Sequence, residues 1–62
     1  MLGKRIKEYI LNRGYKIGSV AHKCHIPFNT FSAMLNGNRA IKAEEYFSIC
    51  SALEVPLDYF RV

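Results

Sequence analysis

The side chains best able to bind a metal ion are two histidines and two cysteines, His22, Cys24, His25 and Cys50. Zinc takes such ligands, but they must converge on one point. His22 and Cys24 are two positions apart in a segment with helical periodicity, so their side chains diverge. Cys24 and Cys50 both fall among apolar residues at helical spacing, where a free cysteine behaves as a small hydrophobe. The sequence therefore predicts two buried thiols, no disulfide framework and no metal site.

The acidic residues do not form a pattern that suits acid–base catalysis. The chain has 62 residues and only five Asp or Glu, and no nucleophile stands beside a base. A chain this short has little room for a deep pocket. We therefore predict no enzymatic activity, no cofactor and no small-molecule ligand.

The cationic residues are concentrated in the first two thirds of the chain. Residues 1–42 contain eight Lys or Arg and one acidic residue, a net charge of +7, whereas residues 43–62 carry a net charge of −3. This asymmetry is typical of a protein that binds a polyanion on one side. The sequence has no apolar run long enough to span a bilayer and no signal peptide. We therefore expect a cytoplasmic protein that makes no membrane contact.

The apolar residues that must position these charges repeat with the period of helices. They predict helices over about 2–13, 17–24, 27–35 and 42–53, with a last helical turn over 57–60. Gly14 ends the first helix, and Pro27 starts the third because proline suits the first helical turn. His25 lies where a glycine-like backbone is preferred, so we predict that it has a positive φ.

The inward-facing residues follow from the same periodicity. The predicted core residues are Tyr9, Ile10, Phe31, Met34, Leu35, Ala43, Tyr46, Phe47, Cys50 and Leu53. Within this pattern, the second and third helices have the spacing of a helix-turn-helix. Ala21 is small enough for the helices to cross closely, and Ile26 and Phe31 fill the angle between them. The outer face of the third helix is then free to enter a DNA major groove.

The segments 19–23, 33–38 and 53–60, together with Ile26, resemble the phage lambda repressor and Cro family. The resemblance covers nearly the whole chain. It implies a single all-α, compact five-helix, lambda-repressor-like domain over 1–62, with the helix-turn-helix at about 17–36. It also implies a cytoplasmic regulator in a bacterial or phage-infected cell, which occupies an operator in double-stranded DNA and blocks polymerase.

The resemblance also implies roles for individual residues. The base-reading residues are Phe28, Asn29, Thr30, Ser32 and Ala33. Asn29 suits an adenine edge, and Phe28 and Ala33 suit thymine methyl groups. This face has no Arg or Gln, so specificity depends partly on DNA deformability. The phosphate-binding residues are Lys16, Ile17, Asn36, Arg39 and Lys42. Ile17 stands where the family often has a glutamine, so Lys16 or backbone N–H groups must replace that contact.

Two further expectations concern packing and partners. Ile10 and Leu35 replace an arginine–glutamate pair that many family members carry, and the two apolar residues are expected to pack together. The residues predicted to hold a weak homodimer on DNA are Leu57, Tyr59, Phe60 and Val62.

Two alternatives remain open. Phe28 and Ile17 suit a protein-binding module, such as an antirepressor or adaptor, and the chain can also be a domain cut from a longer repressor.

Overall fold

Four helices form the described part of the chain, residues 2–60 of a computed structural model. They are α1 (Leu2–Asn12), α2 (Ile17–Lys23), α3 (Phe28–Leu35) and α4 (Ala43–Leu53), and the residues described include no strand. The predicted all-helical class is confirmed, but the predicted fifth helix is not. Residues 57–60 form turns, with the Tyr59 N–H donating to the Pro56 carbonyl at 3.1 Å. So short a segment after a proline closes a turn without extending it into a helix.

Left-handed residues end both α1 and α2, and they do so with the same hydrogen-bond pattern. After α1, Gly14 has φ +77°, and the Tyr15 N–H donates to the Ile10 carbonyl at 3.0 Å. After α2, His25 has φ +58°, and the Ile26 N–H donates to the Ala21 carbonyl at 3.1 Å. At both helix ends the backbone adopts the left-handed conformation that is usually occupied by glycine. The predicted positive φ of His25 is confirmed.

The core contains one continuous cluster of buried apolar side chains. Its members are Ile6, Ile10, Val20, Ala21, Cys24, Phe31, Met34, Leu35, Ile49, Cys50, Leu53 and Phe60. Ile10 and Leu35, expected to replace a charged pair with apolar packing, both belong to it. Tyr9 and Tyr46 are half-buried and pack against the cluster from outside. No polar or charged side chain among residues 2–60 is buried.

The predicted inner face of α4 is partly wrong. Ala43 and Phe47 are exposed, and the Phe47 side chain is 52% accessible. Ile49, which the prediction left out, is fully buried beside Cys50. The inner face instead consists of Tyr46, Ile49, Cys50 and Leu53. These residues are separated by steps of three and four, which keep side chains on one side of a helix. Phe47 follows Tyr46 directly and is turned away by about 100°.

The start of α1 crosses the end of α3 at very short range. Gly3 is buried, and a Cβ atom built on it would overlap the carbonyl oxygen of Met34 and lie 3.0 Å from that of Leu35. Both obstacles are backbone atoms, which cannot rotate away as a side chain can. A glycine is therefore required at this position for α1 to reach the C-terminal end of α3.

Replacing Gly3 with alanine is expected to lower the free energy of unfolding by about 1–3 kcal/mol, because α1 must move away from α3. Gly18→Ala is the matched control, since Gly18 is also the second residue of its helix. A Cβ there would lie 3.8 Å from the Phe28 ring, an ordinary contact, and alanine favours the helix by about 1 kcal/mol. Thermal and urea unfolding measure both effects. A Gly3→Ala protein as stable as the parent chain would contradict the close crossing.

Candidate nucleic-acid interface

The turn between α2 and α3 fixes which side of α3 faces outward. Ala21 is 1% accessible and Phe31 is fully buried, while Ile26 is half-buried against the core cluster. The Phe31 N–H donates to the Pro27 carbonyl at 2.9 Å, which starts α3 directly after the proline. Because Phe31, Met34 and Leu35 face the core, the opposite side of α3 faces solvent.

The five residues predicted to read bases share this outward side. Asn29 is exposed and the Phe28 side chain is 55% accessible, whereas Thr30, Ser32 and Ala33 are half-buried. The Phe28 ring lies over Gly18, at the start of α2, within ordinary contact distance of where a Cβ would stand. The structure therefore brings these residues together on an accessible face, with an aromatic ring at its N-terminal edge.

Arg39 follows α3 in the sequence and lies alongside that helix. It lines one shallow depression with Pro27 and Thr30, near the start of α3, and another with Gly3 and Met34, near its end. Its guanidinium group donates to the Glu45 carboxylate at 3.0 Å, and the same carboxylate oxygen accepts the backbone N–H of Lys42 at 2.9 Å. Glu45 thus holds Arg39 and the exposed Lys42 side by side at the start of α4.

These two hydrogen bonds change the acidity of Glu45. The hydrogen bond from Arg39, followed by that from the Lys42 backbone, holds the pKa of the Glu45 carboxyl below its ordinary value of 4.5. From the sequence, Glu45 was expected only to place a negative charge in the first turn of α4, where the helix dipole favours it. Its spacing of three residues from Lys42, in the first turn of α4, is the signal that could have found the backbone contact.

The remaining phosphate candidates occupy the two ends of the helix-turn-helix. Lys16 is exposed and precedes the first turn of α2, and Ile17 is half-buried against the core. Asn36 is exposed directly after α3, where its amide group donates to the Ser32 hydroxyl at 3.4 Å. The accessible members of the predicted set therefore lie before α2 and between α3 and α4.

Lys7 was not among the site residues predicted from the sequence. Its ammonium group donates to the Asn36 side-chain oxygen at 3.1 Å, so a cation of α1 reaches the end of α3. The two residues are far apart in the sequence, and only the crossing at Gly3 brings them together. The available signal is that Lys7 lies four residues after Gly3, on the same face of α1.

The predicted dimer residues do not all lie on the surface. The Leu57 and Tyr59 side chains are 53% and 51% accessible, but Phe60 is only 4% accessible. The Phe60 ring packs edge-on against Tyr9, with ring centroids 5.6 Å apart. The prediction for Phe60 is wrong, because its side chain completes this chain's own core, and Val62 lies outside the described residues.

The cysteines behave as core residues in the described part of the chain. Both are buried, and the Cys24 thiol lies 3.7 Å from the Ser48 carbonyl oxygen. Burial raises the pKa of the Cys24 thiol, so the nucleophilic thiolate is disfavoured. Within residues 2–60, no three His, Cys, Asp or Glu side chains are grouped closely enough to hold a metal ion.

Comparison with known families assigns the chain to a class. A helix-turn-helix family model of the Cro and lambda repressor type matches residues 6–60, so the chain belongs to this helix-turn-helix family. The resemblance inferred from the motifs is confirmed. The family consists of DNA-binding regulatory domains, which supports DNA binding as the general function. No curated protein and no solved structure matches the chain significantly. No helix within residues 2–60 has the length and apolar character needed to cross a bilayer.

The lowered pKa of Glu45 predicts a pH dependence of stability. A carboxylate with a depressed folded-state pKa stabilises the fold above its unfolded-state value and loses that contribution as pH falls through the folded-state value. The free energy of unfolding should therefore decrease as pH falls below 4.5, and Glu45→Gln should make this decrease shallower. Glu44→Gln, in the same helical turn, is the control and should keep the parent slope. Urea unfolding across this pH range measures it, and parallel profiles for the parent and Glu45→Gln would contradict the assignment.

Proposed function

We propose that this protein is a transcriptional regulator that binds a specific operator in double-stranded DNA and acts by occupying it. The observation that carries the proposal is the outward face of α3, where Phe28 and Asn29 are exposed and Arg39 lies near Pro27 and Thr30. Membership of the helix-turn-helix family supports DNA binding in general. The residue types on the outward face of α3 support recognition of a specific base sequence.

The chemistry of the face suits base edges rich in adenine and thymine. Asn29 lies in the first turn of α3, the part of a recognition helix that contacts bases. Its amide can donate to and accept from an adenine edge at once, and Phe28 and Ala33 offer apolar contacts to thymine methyl groups. Thr30 and Ser32 add hydroxyl groups to the same face. We therefore propose that this set reads the operator.

The cations around this face suit the phosphate backbone. Arg39 and Lys42 stand together at the start of α4, and Lys16 stands before α2. Asn36 directly follows α3, and the backbone around Ile17 opens α2. Contacts at both ends of a recognition helix fix its position on the duplex without reading sequence. We therefore propose that these residues bind phosphates, whereas the residues on the outward face of α3 read the bases.

We further propose that two copies bind together on a pseudo-palindromic site. Leu57 and Tyr59 are exposed apolar side chains near the end of the described chain, which supports a small two-fold contact. Bound as a pair, the two α3 helices would lie about 34 Å apart, one turn of DNA. So small a contact is expected to form mainly on DNA.

Asn29→Ala should mainly reduce discrimination between sequences. A binding site is first selected from a random duplex library, and affinities for this site and a scrambled duplex are compared by fluorescence anisotropy. Losing one bidentate base contact is expected to reduce the affinity ratio by about 1–3 kcal/mol, or roughly 5- to 150-fold. Asn12→Ala, which removes an exposed asparagine at the end of α1, is the control. An unchanged ratio for Asn29→Ala would place the reading face elsewhere.

Arg39→Ala and Lys42→Ala should weaken binding to all duplexes by similar factors. Each substitution removes a phosphate contact, so the slope of log affinity against log salt concentration should become shallower by about 0.9. Arg5→Ala is the control. Arg5 is a cation of α1 that lies beside Tyr59 and Phe60 and is not among the proposed phosphate contacts. Loss of affinity confined to one sequence would contradict a role in anchoring.

The exposed Phe28 also favours a second candidate function, a protein-binding module such as an antirepressor or adaptor. Aromatic residues are enriched at protein contacts. The same anisotropy measurement separates the two functions. A parent protein that binds no duplex at low salt would favour the protein-binding function, whereas affinity that falls steeply with salt favours the operator-binding function.

A further inference from the structure

We propose that Lys7, together with Asn36, forms a phosphodiester-binding site at the junction of α1 and α3. The ligand is a backbone phosphate of duplex DNA, and the inference rests on the DNA-binding function proposed above. A lysine of α1 would thus supply a cation that α3 itself lacks, since no residue of α3 carries a positive charge.

A chain of hydrogen bonds connects Lys7 to the reading face. The Lys7 ammonium group donates to Asn36 at 3.1 Å, and the Asn36 amide in turn donates to the Ser32 hydroxyl at 3.4 Å. Asn36 thereby has its oxygen turned to the cation and its nitrogen turned to α3. An ammonium group has three donors, and the bond to Asn36 uses one of them. The other donors remain able to bind phosphate oxygens.

The surroundings of Lys7 orient its charge. Its side chain is half-buried, so the aliphatic stem packs while the ammonium group stays accessible. A shallow depression next to it is lined by Lys4, Leu11 and Asn36. Two lysines therefore stand on the same side of α1, one turn apart, beside the end of α3. Glu8 lines the same depression and partly offsets their charge.

The close crossing of α1 and α3 at Gly3 fixes the position of Lys7 relative to α3. Gly3 and Lys7 lie on one face of α1, and Gly3 lies directly against the carbonyl groups of Met34 and Leu35. The distance between the two helices is therefore set by backbone atoms one turn away from Lys7. Lys7 would thus hold a phosphate at the end of α3, in addition to the phosphates proposed for Arg39 and Lys42.

Lys7 also has a purely structural explanation. A cation near the last turn of a helix interacts favourably with the carbonyl end of that helix. That role affects the free energy of unfolding but not the number of counterions released on DNA binding. The salt dependence of binding separates the two explanations, because it counts phosphate contacts.

The test compares Lys7→Gln with Arg5→Gln in binding to a labelled random-sequence duplex at several salt concentrations. Both variants lose one positive charge from α1, but Arg5 lies beside Tyr59 and Phe60, away from Asn36. Lys7→Gln should make the log–log salt slope shallower by about 0.9, and Arg5→Gln should leave it unchanged. Lys7→Arg should restore the parent slope. Thermal unfolding of each variant verifies that it is folded under the binding conditions.

Each outcome decides the proposal. A parent protein with salt-dependent binding and an unaltered slope in Lys7→Gln overturns the Lys7 site and leaves the proposed function standing. A lower melting temperature of Lys7→Gln with an unaltered slope assigns Lys7 the structural role alone, which also overturns the site. A parent protein that binds no duplex at any salt concentration overturns the site and the proposed function together.

Discussion

The close contact between α2 and α3 at Ala21 is the constraint on which the rest of the structure depends. Ala21 is almost completely buried, and its carbonyl group accepts the N–H of Ile26 across the left-handed His25. A larger side chain at this position would separate the two helices, and Phe31 would lose its place in the core. Because Phe31 is held inward, Phe28 and Asn29 are turned outward. The accessible face of α3 is therefore a consequence of packing on the opposite side.

A second constraint comes from contacts that place charges from other helices around α3. Glu45 holds Arg39 at the start of α4, and Asn36 holds Lys7 near the end of α3. The acidic segment 43–62 therefore also has a structural role. One of its carboxylates positions a cation of the basic half. The electrostatics of the face depend on residues from α1 and α4 as much as on α3 itself.

Much of the fold could be predicted because it is determined locally. Helical periodicity located the four helices, and Gly14, His25 and Pro27 marked turns by their own backbone preferences. The outward face of α3 followed from the same spacing. Prediction was wrong at Phe47 because Tyr46 and Phe47 are adjacent aromatic residues and only one can face the core. The sequence pattern also predicted a helical turn over 57–60, where the residues after Pro56 form turns.

Two of the missed features, the contact of Lys7 with Asn36 and the burial of Phe60, depend on tertiary geometry. Lys7 meets Asn36 only because α1 crosses α3 at Gly3, and no local pattern specifies that crossing. Likewise, Phe60 was assigned to the dimer contact although the turn over 57–60 was expected to close the core, and its buried side chain packs against Tyr9 of α1. The pairing of Arg39 with Glu45, by contrast, joins residues only six positions apart and needs no crossing of helices. Roles that need two helices to meet are the ones that periodicity does not reveal.

The most direct measurement is an NMR titration of isotope-labelled protein with duplex DNA, followed by mapping of the amide shifts onto the structure. If the α2–α3 contact presents α3 to the duplex, the largest shifts will fall between Phe28 and Ala33 and at Asn36, Arg39 and Lys42. Small shifts are expected on the outer face of α4, around Phe47. Shifts centred on Phe47 and Leu57, with α3 unaffected, would contradict the account.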